Sequence, residues 1–130
     1  DVDNLGADTS SYAFQGIQHV FIGQELQVRR LSTSTSTLID TDRVRLRSSR
    51  FPAAVSGVAS PFFFVGSLPP LFANGGVSQF QVMTDPSFTE FGGTAANFSQ
   101  IAIPKPATIR AQLFPGGSTS AAVATKVIQH

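Results

Sequence analysis

The chain contains no cysteine and no tryptophan. Without cysteine, disulfides and thiolate metal sites are excluded. No stretch approaches the ~18 consecutive apolar residues of a membrane span, so we expect no membrane contact. The net charge of +1 provides no overall attraction to nucleic acid or to a membrane surface.

Charged residues are also scarce, at 13% of the chain, about half of the usual quarter. Only two lysines (Lys105, Lys126) and two glutamates (Glu25, Glu90) occur, whereas 42% of residues are hydrophobic. Lys and Glu are depleted where protein surface contacts another protein. We therefore predict a subunit whose surface is largely covered by other copies of itself or by a larger protein shell.

The pattern along the chain predicts an all-β fold. Apolar and polar residues alternate in short runs, and turn signals recur roughly every 8–12 residues. We predict a single domain over residues 1–130, an antiparallel sandwich or barrel with a polar N-terminal arm over residues 1–13. An α+β domain with one short helix, near residues 69–74 or 121–126, is the alternative. The main candidate strands are 15–22, 25–31, 43–47, 54–58, 62–65, 77–83, 98–103, 107–114 and 121–128.

Six of the seven arginines fall between residues 29 and 50. Arg43, Arg45 and Arg47 alternate with apolar residues, so on a strand they project from one face. Arg29 or Arg30 would join them if residues 25–31 pair with residues 43–49. Arginine favours fixed bidentate contacts with carboxylates, which predicts a docking face for an acidic protein surface.

Two other interpretations of these arginines remain. The first is a solvated strand face neutralised by nearby acids, for which Glu25, Asp40, Asp42 and the acidic arm at residues 1–8 are candidates. The second is nucleic-acid binding, which the sequence disfavours because no aromatic residue for base stacking occurs between residues 22 and 50.

Phenylalanine is abundant, with twelve in the chain and nine between residues 51 and 98. Phe62, Phe63 and Phe64 are consecutive, and side chains alternate between the two faces of a strand. At least one of the three must therefore face away from the main core. We predict that this segment contributes to a contact between subunits; a strand buried on both faces is the alternative.

The sequence contains no recognisable catalytic, cofactor or metal motif. His19, the only internal histidine, lies in an apolar stretch without a nucleophile elbow nearby. Asp40 and Asp42 are too few oxygens for a calcium site. Glu25 and Glu90 have no context that would pair them for glycoside hydrolysis. We expect no enzyme activity, no cofactor, no metal and no small-molecule substrate.

These observations favour a non-enzymatic structural subunit of a larger assembly. Virus or phage particles (minor shell, cement, tail or fibre proteins) and extracellular fibres are the usual settings, so we expect a virion or extracellular location; this expectation is an analogy from fold and composition. The alternative is a secreted binding module, adhesin-like or lectin-like, that uses the loops around residues 32–42 and 67–76.

Overall fold

The computed structural model describes residues 2–3, 6, 9, 12, 14–35, 37, 41, 43–116 and 119–130. It is mostly β, which confirms the predicted all-β class. One short helix, α1, covers Pro70–Asn74, and two 3₁₀ helices cover Ile17–His19 and Phe98–Gln100. The strands are β1 (Glu25–Val28), β2 (Val44–Arg47), β3 (Ser49–Ala59), β4 (Phe62–Gly66), β5 (Phe80–Met83), β6 (Glu90–Gly93), β7 (Pro106–Phe114) and β8 (Ser120–Gln129).

Five strands close into a barrel in the order β3, β4, β5, β8, β7. The β3–β4, β4–β5, β3–β7 and β7–β8 pairings are antiparallel, as predicted, but β5 runs parallel to β8. A ring with five strand positions cannot alternate direction all the way round, so one pairing has to be parallel. Strand β6 also runs parallel to β8 and continues the β5 position along it. The sheet is therefore a mainly antiparallel barrel, as predicted, with two parallel pairings that were not predicted.

The barrel interior is filled by the inward-facing residues of all five strands. Phe51 and Phe80 lie 5.4 Å apart between ring centroids. Helix α1 adds Phe72, whose ring meets each of them edge-on at 5.3 Å. Each fully buried phenylalanine stabilises the fold by about 1.5–3 kcal/mol. This aromatic group, with small and β-branched residues around it, forms the larger of two buried clusters.

A second layer covers part of the outer wall of the barrel. It consists of the antiparallel pair β1–β2 and an isolated parallel bridge between Val2 and Leu46. Leu46 is fully buried against Phe114 and Val123, which point outward from β7 and β8. The Nε2 group of Gln112 donates to the Asp3 carbonyl at 2.7 Å. Val2 and Asp3 of the predicted N-terminal arm thus contact the body of the protein.

Two predicted strands are not strands in the structure. Within residues 15–22, Ile17–His19 form a 3₁₀ helix, and the Gln24 side chain satisfies the backbone locally by accepting from Phe21 N at 2.8 Å and donating to His19 O at 3.1 Å. Residues 98–103 are similar, because the Gln129 side chain bonds to the backbone of Ala102. In both places a glutamine side-chain amide makes backbone hydrogen bonds that a neighbouring strand would otherwise make.

Pro52 lies inside β3, whereas the sequence predicts one strand that ends at residue 47 and another that begins at residue 54. Val55 N donates to Lys105 O, so alternate residues of β3 bond to β7. The Pro52 nitrogen faces the other edge, which β4 covers only from Ala54 onward. At an uncovered edge the missing N–H costs no ladder hydrogen bond.

Candidate interaction surfaces

The β1–β2 pair carries Arg45 and Arg47 of the predicted arginine cluster, and Arg29 and Arg43 adjoin it. We call β1, β2, Arg29 and Arg43 the basic hairpin. Its register places Arg47 opposite Glu25 and Arg45 opposite Gln27, and Arg29 N donates to Arg43 O at 3.0 Å. Residues 25–29 thus pair with residues 43–47, which is the arrangement that brings Arg29 next to Arg43. Strand β2 itself begins at Val44, so Arg43 directly precedes it.

Part of the charge of the basic hairpin is offset within the chain. One Asp3 carboxylate contacts both Arg45 (3.5 Å) and Arg47 (3.2 Å). The two arginine side chains remain 38% and 51% exposed, so each contact stabilises the fold by only ~0–1 kcal/mol. Asp3 of the acidic arm therefore compensates part of the basic face within one chain. Contact of these arginines with another chain stays a prediction, and Asp40 and Asp42 lie outside the described residues.

A depression of about 250 Å³ lies on the basic hairpin. Val28, 44% exposed, provides an apolar part of its lining. The guanidinium-bearing residues Arg29, Arg43 and Arg45 provide the rest, together with Gln27. An apolar lining beside several guanidinium groups suits an acidic side chain carried on a partly apolar protein surface.

The Phe62–Phe64 segment forms β4, and its side chains alternate as predicted. Phe63 is fully buried in the barrel, with its ring centroid 6.4 Å from that of Phe98. Phe62 and Phe64 point outward and are only half-buried. We call Phe62, Phe64 and the neighbouring Met83 the aromatic face.

The aromatic face lies next to the second layer on the outer wall of the barrel. Met83 lies directly opposite Phe62 across β4 and β5, and the Tyr12 hydroxyl donates to the Met83 sulfur at 3.6 Å. Tyr12 in turn stacks on Phe114 at 5.1 Å and belongs to the second buried cluster. Gly57 sits beside Phe64, within ordinary contact of its ring. The aromatic face is thus a half-covered extension of the second buried cluster onto an open part of the barrel wall.

A second basic group lies elsewhere on the barrel, and it was not predicted from the sequence. Arg50 on β3 is the Cα partner of Arg110 on β7, which is the partner of Lys126 on β8. We call these three residues the cationic row. The turn signal at residues 115–117 indicates a β7–β8 hairpin and so places Arg110 and Lys126 on neighbouring strands, but it does not give their register. Nothing in the sequence indicates that Arg50 joins them.

His19, Glu25 and Glu90, the described candidates for catalysis, lie on three different elements. His19 Nδ1 accepts from Gln15 N at 2.9 Å, a local turn contact. Glu25 and Glu90 belong to different sheets. Within the described ranges, no group of three or more His, Asp and Glu side chains could hold a metal ion. No helix in that part of the chain is long and apolar enough to cross a membrane.

The chain was compared with models of protein families, with curated proteins and with solved structures, and none of the three comparisons gave a significant match.

Proposed function

We propose that this chain is a non-enzymatic structural subunit of a larger protein assembly, such as a virus or phage particle or an extracellular fibre. The aromatic face is the observation that carries the proposal. Two neighbouring phenylalanines and a methionine on a rigid barrel wall form an apolar surface, and such surfaces mark protein contacts. Aromatic residues and methionine are also enriched in protein interfaces.

The occupant that we propose for the aromatic face is a second copy of this chain. The few Lys and Glu residues of the sequence fit a chain with much of its surface in contact with like subunits. The face is continuous with the second buried cluster through Met83 and Tyr12, so a subunit placed on it would extend an existing apolar layer. A stable contact of this kind buries roughly 800 Å² or more on each partner.

The aromatic face is tested by serine substitutions at Phe62 and Phe64, measured by sedimentation velocity over a concentration series and by urea unfolding. We expect Phe64→Ser and Phe62→Ser to weaken association and to leave a folded barrel, because both side chains are only half-buried. Phe63→Ser should instead unfold the subunit, because this ring is fully buried. Leu71→Ser, at a 44% exposed position on α1, is the matched control for loss of surface apolar area.

Two results would contradict the aromatic contact. One is a wild-type protein that stays a monodisperse monomer at high concentration. The other is that Phe62→Ser and Phe64→Ser weaken association no more than the control Leu71→Ser does. A monomer that binds glycans through the loops around residues 32–42 and 67–76 would favour the secreted binding module instead.

We further propose that the basic hairpin docks against carboxylates of a neighbouring subunit or shell protein. Charge-assisted arginine–carboxylate contacts are strong when water is partly excluded. The Arg43→Gln, Arg45→Gln, Arg47→Gln triple variant should therefore weaken assembly, and most at low salt, where charges are least screened. The control replaces the three residues of the cationic row by glutamine, which removes the same charge from another surface.

Experiments on the purified wild type and triple variant also identify the kind of partner that the basic hairpin binds. If the triple variant assembles like the wild type at every salt concentration, the hairpin is a solvated face neutralised by Asp3. If the wild type retains nucleic acid on purification and the triple variant loses it, the partner is a nucleic acid and the proposal is wrong.

A further inference from the structure

The cationic row is the feature that the proposed function leaves unexplained. Arg50, Arg110 and Lys126 are consecutive cross-strand partners, and all three are exposed on the outer wall of the barrel. Directly opposed residues on neighbouring strands have Cβ atoms about 4.5–5.5 Å apart. Three cations on three adjacent strands therefore lie within about 10 Å of one another.

This arrangement is unfavourable for the chain by itself. Like charges directly opposite each other destabilise a sheet. In the part of the chain that the structure describes, no ion pair joins a carboxylate to any of these three side chains. Glu90 follows as the cross-strand partner of Lys126 and lines a neighbouring depression with Lys126 and Arg110, so a carboxylate lies at this end of the row. The positive charge is concentrated on the side of Arg50 and Arg110.

The arginine at the centre of the row is oriented by its neighbours. The Arg110 Nε group donates to Ser48 Oγ at 3.1 Å, which fixes the plane of the guanidinium. The Thr125 hydroxyl donates to the Arg110 carbonyl at 3.3 Å and so holds the backbone beneath it. No acceptor among the described residues bonds to the two terminal amino groups of Arg110.

A shaped depression accompanies these charges. It measures about 190 Å³, and its lining combines the cationic row with Thr108 and Ile128. The Thr108 hydroxyl lies 2.9 Å from His130 Nε2 at the rim. Arg110 and Lys126 lie on β7 and β8, where each strand is paired along both of its edges. Arg50 lies on a part of β3 that pairs only with β7.

We infer that the cationic row binds a phosphate or sulfate group, either as a free anion or as an ester on a small molecule or glycan. A tetrahedral oxyanion offers several oxygens that three cations can share, and an arginine fork binds such groups through two parallel hydrogen bonds. A lone carboxylate offers only two oxygens in one plane and would leave part of the row uncompensated. The lining contains no aromatic side chain for base stacking, which disfavours a nucleic-acid strand.

Calorimetric titration of the full chain at constant ionic strength tests this inference with three probes: sodium phosphate, sodium sulfate and a sulfated heparin oligosaccharide. We expect binding of at least one probe and a loss of about tenfold or more in affinity in Arg110→Gln, because a hydrogen bond to a charged group is removed. Arg45→Gln removes the same charge from the basic hairpin and should keep the wild-type affinity. Binding of the inorganic anions identifies a free-anion site, and binding of the oligosaccharide alone identifies an ester on a larger ligand.

Thermal unfolding provides a second readout that separates binding from folding. Without ligand, Arg110→Gln should unfold at or slightly above the wild-type temperature, because repulsion in the row is relieved. With saturating ligand, the wild type should gain more in Tm than the variant does. The inference is overturned if no probe binds, if Arg45→Gln loses as much affinity as Arg110→Gln, or if a poly-glutamate peptide binds the row more tightly than the oxyanions do.

Discussion

Gly93 ends β6 in a conformation that only glycine adopts without strain. Its φ is +72°, and a Cβ atom at this position would overlap the backbone carbonyl of Gln129 on β8. The same carbonyl accepts a hydrogen bond from Thr94 N at 2.8 Å, so it cannot withdraw freely. A left-handed backbone costs a non-glycine residue about 1–2 kcal/mol. Overlap with a packed neighbour adds about 1–3 kcal/mol, so we expect Gly93→Ala to lower the free energy of unfolding by about 2–5 kcal/mol.

Gly76 is the matched control because its φ is also positive, at +80°, but no atom lies within 4 Å of the position that a Cβ atom would take. Gly76→Ala should therefore lose only the backbone contribution, about 1–2 kcal/mol. Both variants lose the same glycine entropy in the unfolded chain, so it cancels in the comparison. Urea unfolding of the two variants measures the difference directly. Equal destabilisation would refute the close approach of β6 to the Gln129 carbonyl.

Two further predictions concern buried polar groups. The Gln129 side chain is 1% exposed, accepts from Ala102 N at 2.9 Å and donates to Ala102 O at 2.8 Å. Gln129→Leu should therefore lower the free energy of unfolding in urea titrations by about 2 kcal/mol or more. An unchanged urea midpoint would contradict this. Burial raises the pKa of Tyr12 above its ordinary value of 10.0. Stability from the neutral phenol is therefore complete below the ordinary pKa and is lost as the pH rises through the folded-state pKa. Tyr12 is the only tyrosine and the chain has no tryptophan, so the phenolate absorbance reports this group alone. If Tyr12 ionises at the same pH in the folded and in the urea-unfolded protein, its side chain is not buried.

The class of the fold could be predicted because strand alternation is local. β4 and the β7–β8 hairpin both follow from apolar alternation and flanking turn residues. The parallel β5–β8 pairing that closes the barrel could not be predicted. It depends on the total number of strands in the ring, and no short stretch of sequence determines that number. The two false strands have a related cause. Gln24 and Gln129 satisfy backbone groups with their side chains, and nothing in the sequence distinguishes such a glutamine from one on the surface.

The two basic surfaces differ in how much of each could be predicted. Arg45 and Arg47 share a face because they are two apart on one strand, and this spacing is visible in the sequence. The cationic row is assembled across strands, so its members are distant in sequence and each one alone resembles an ordinary surface residue. Asp3 reaches the basic hairpin, whereas the described carboxylates leave the cationic row without an ion pair. Asp3 already offsets part of the charge of the basic hairpin, whereas the like charges of the cationic row repel one another. An external anion would relieve that repulsion, so the cationic row is the stronger candidate for binding an anion from outside the chain.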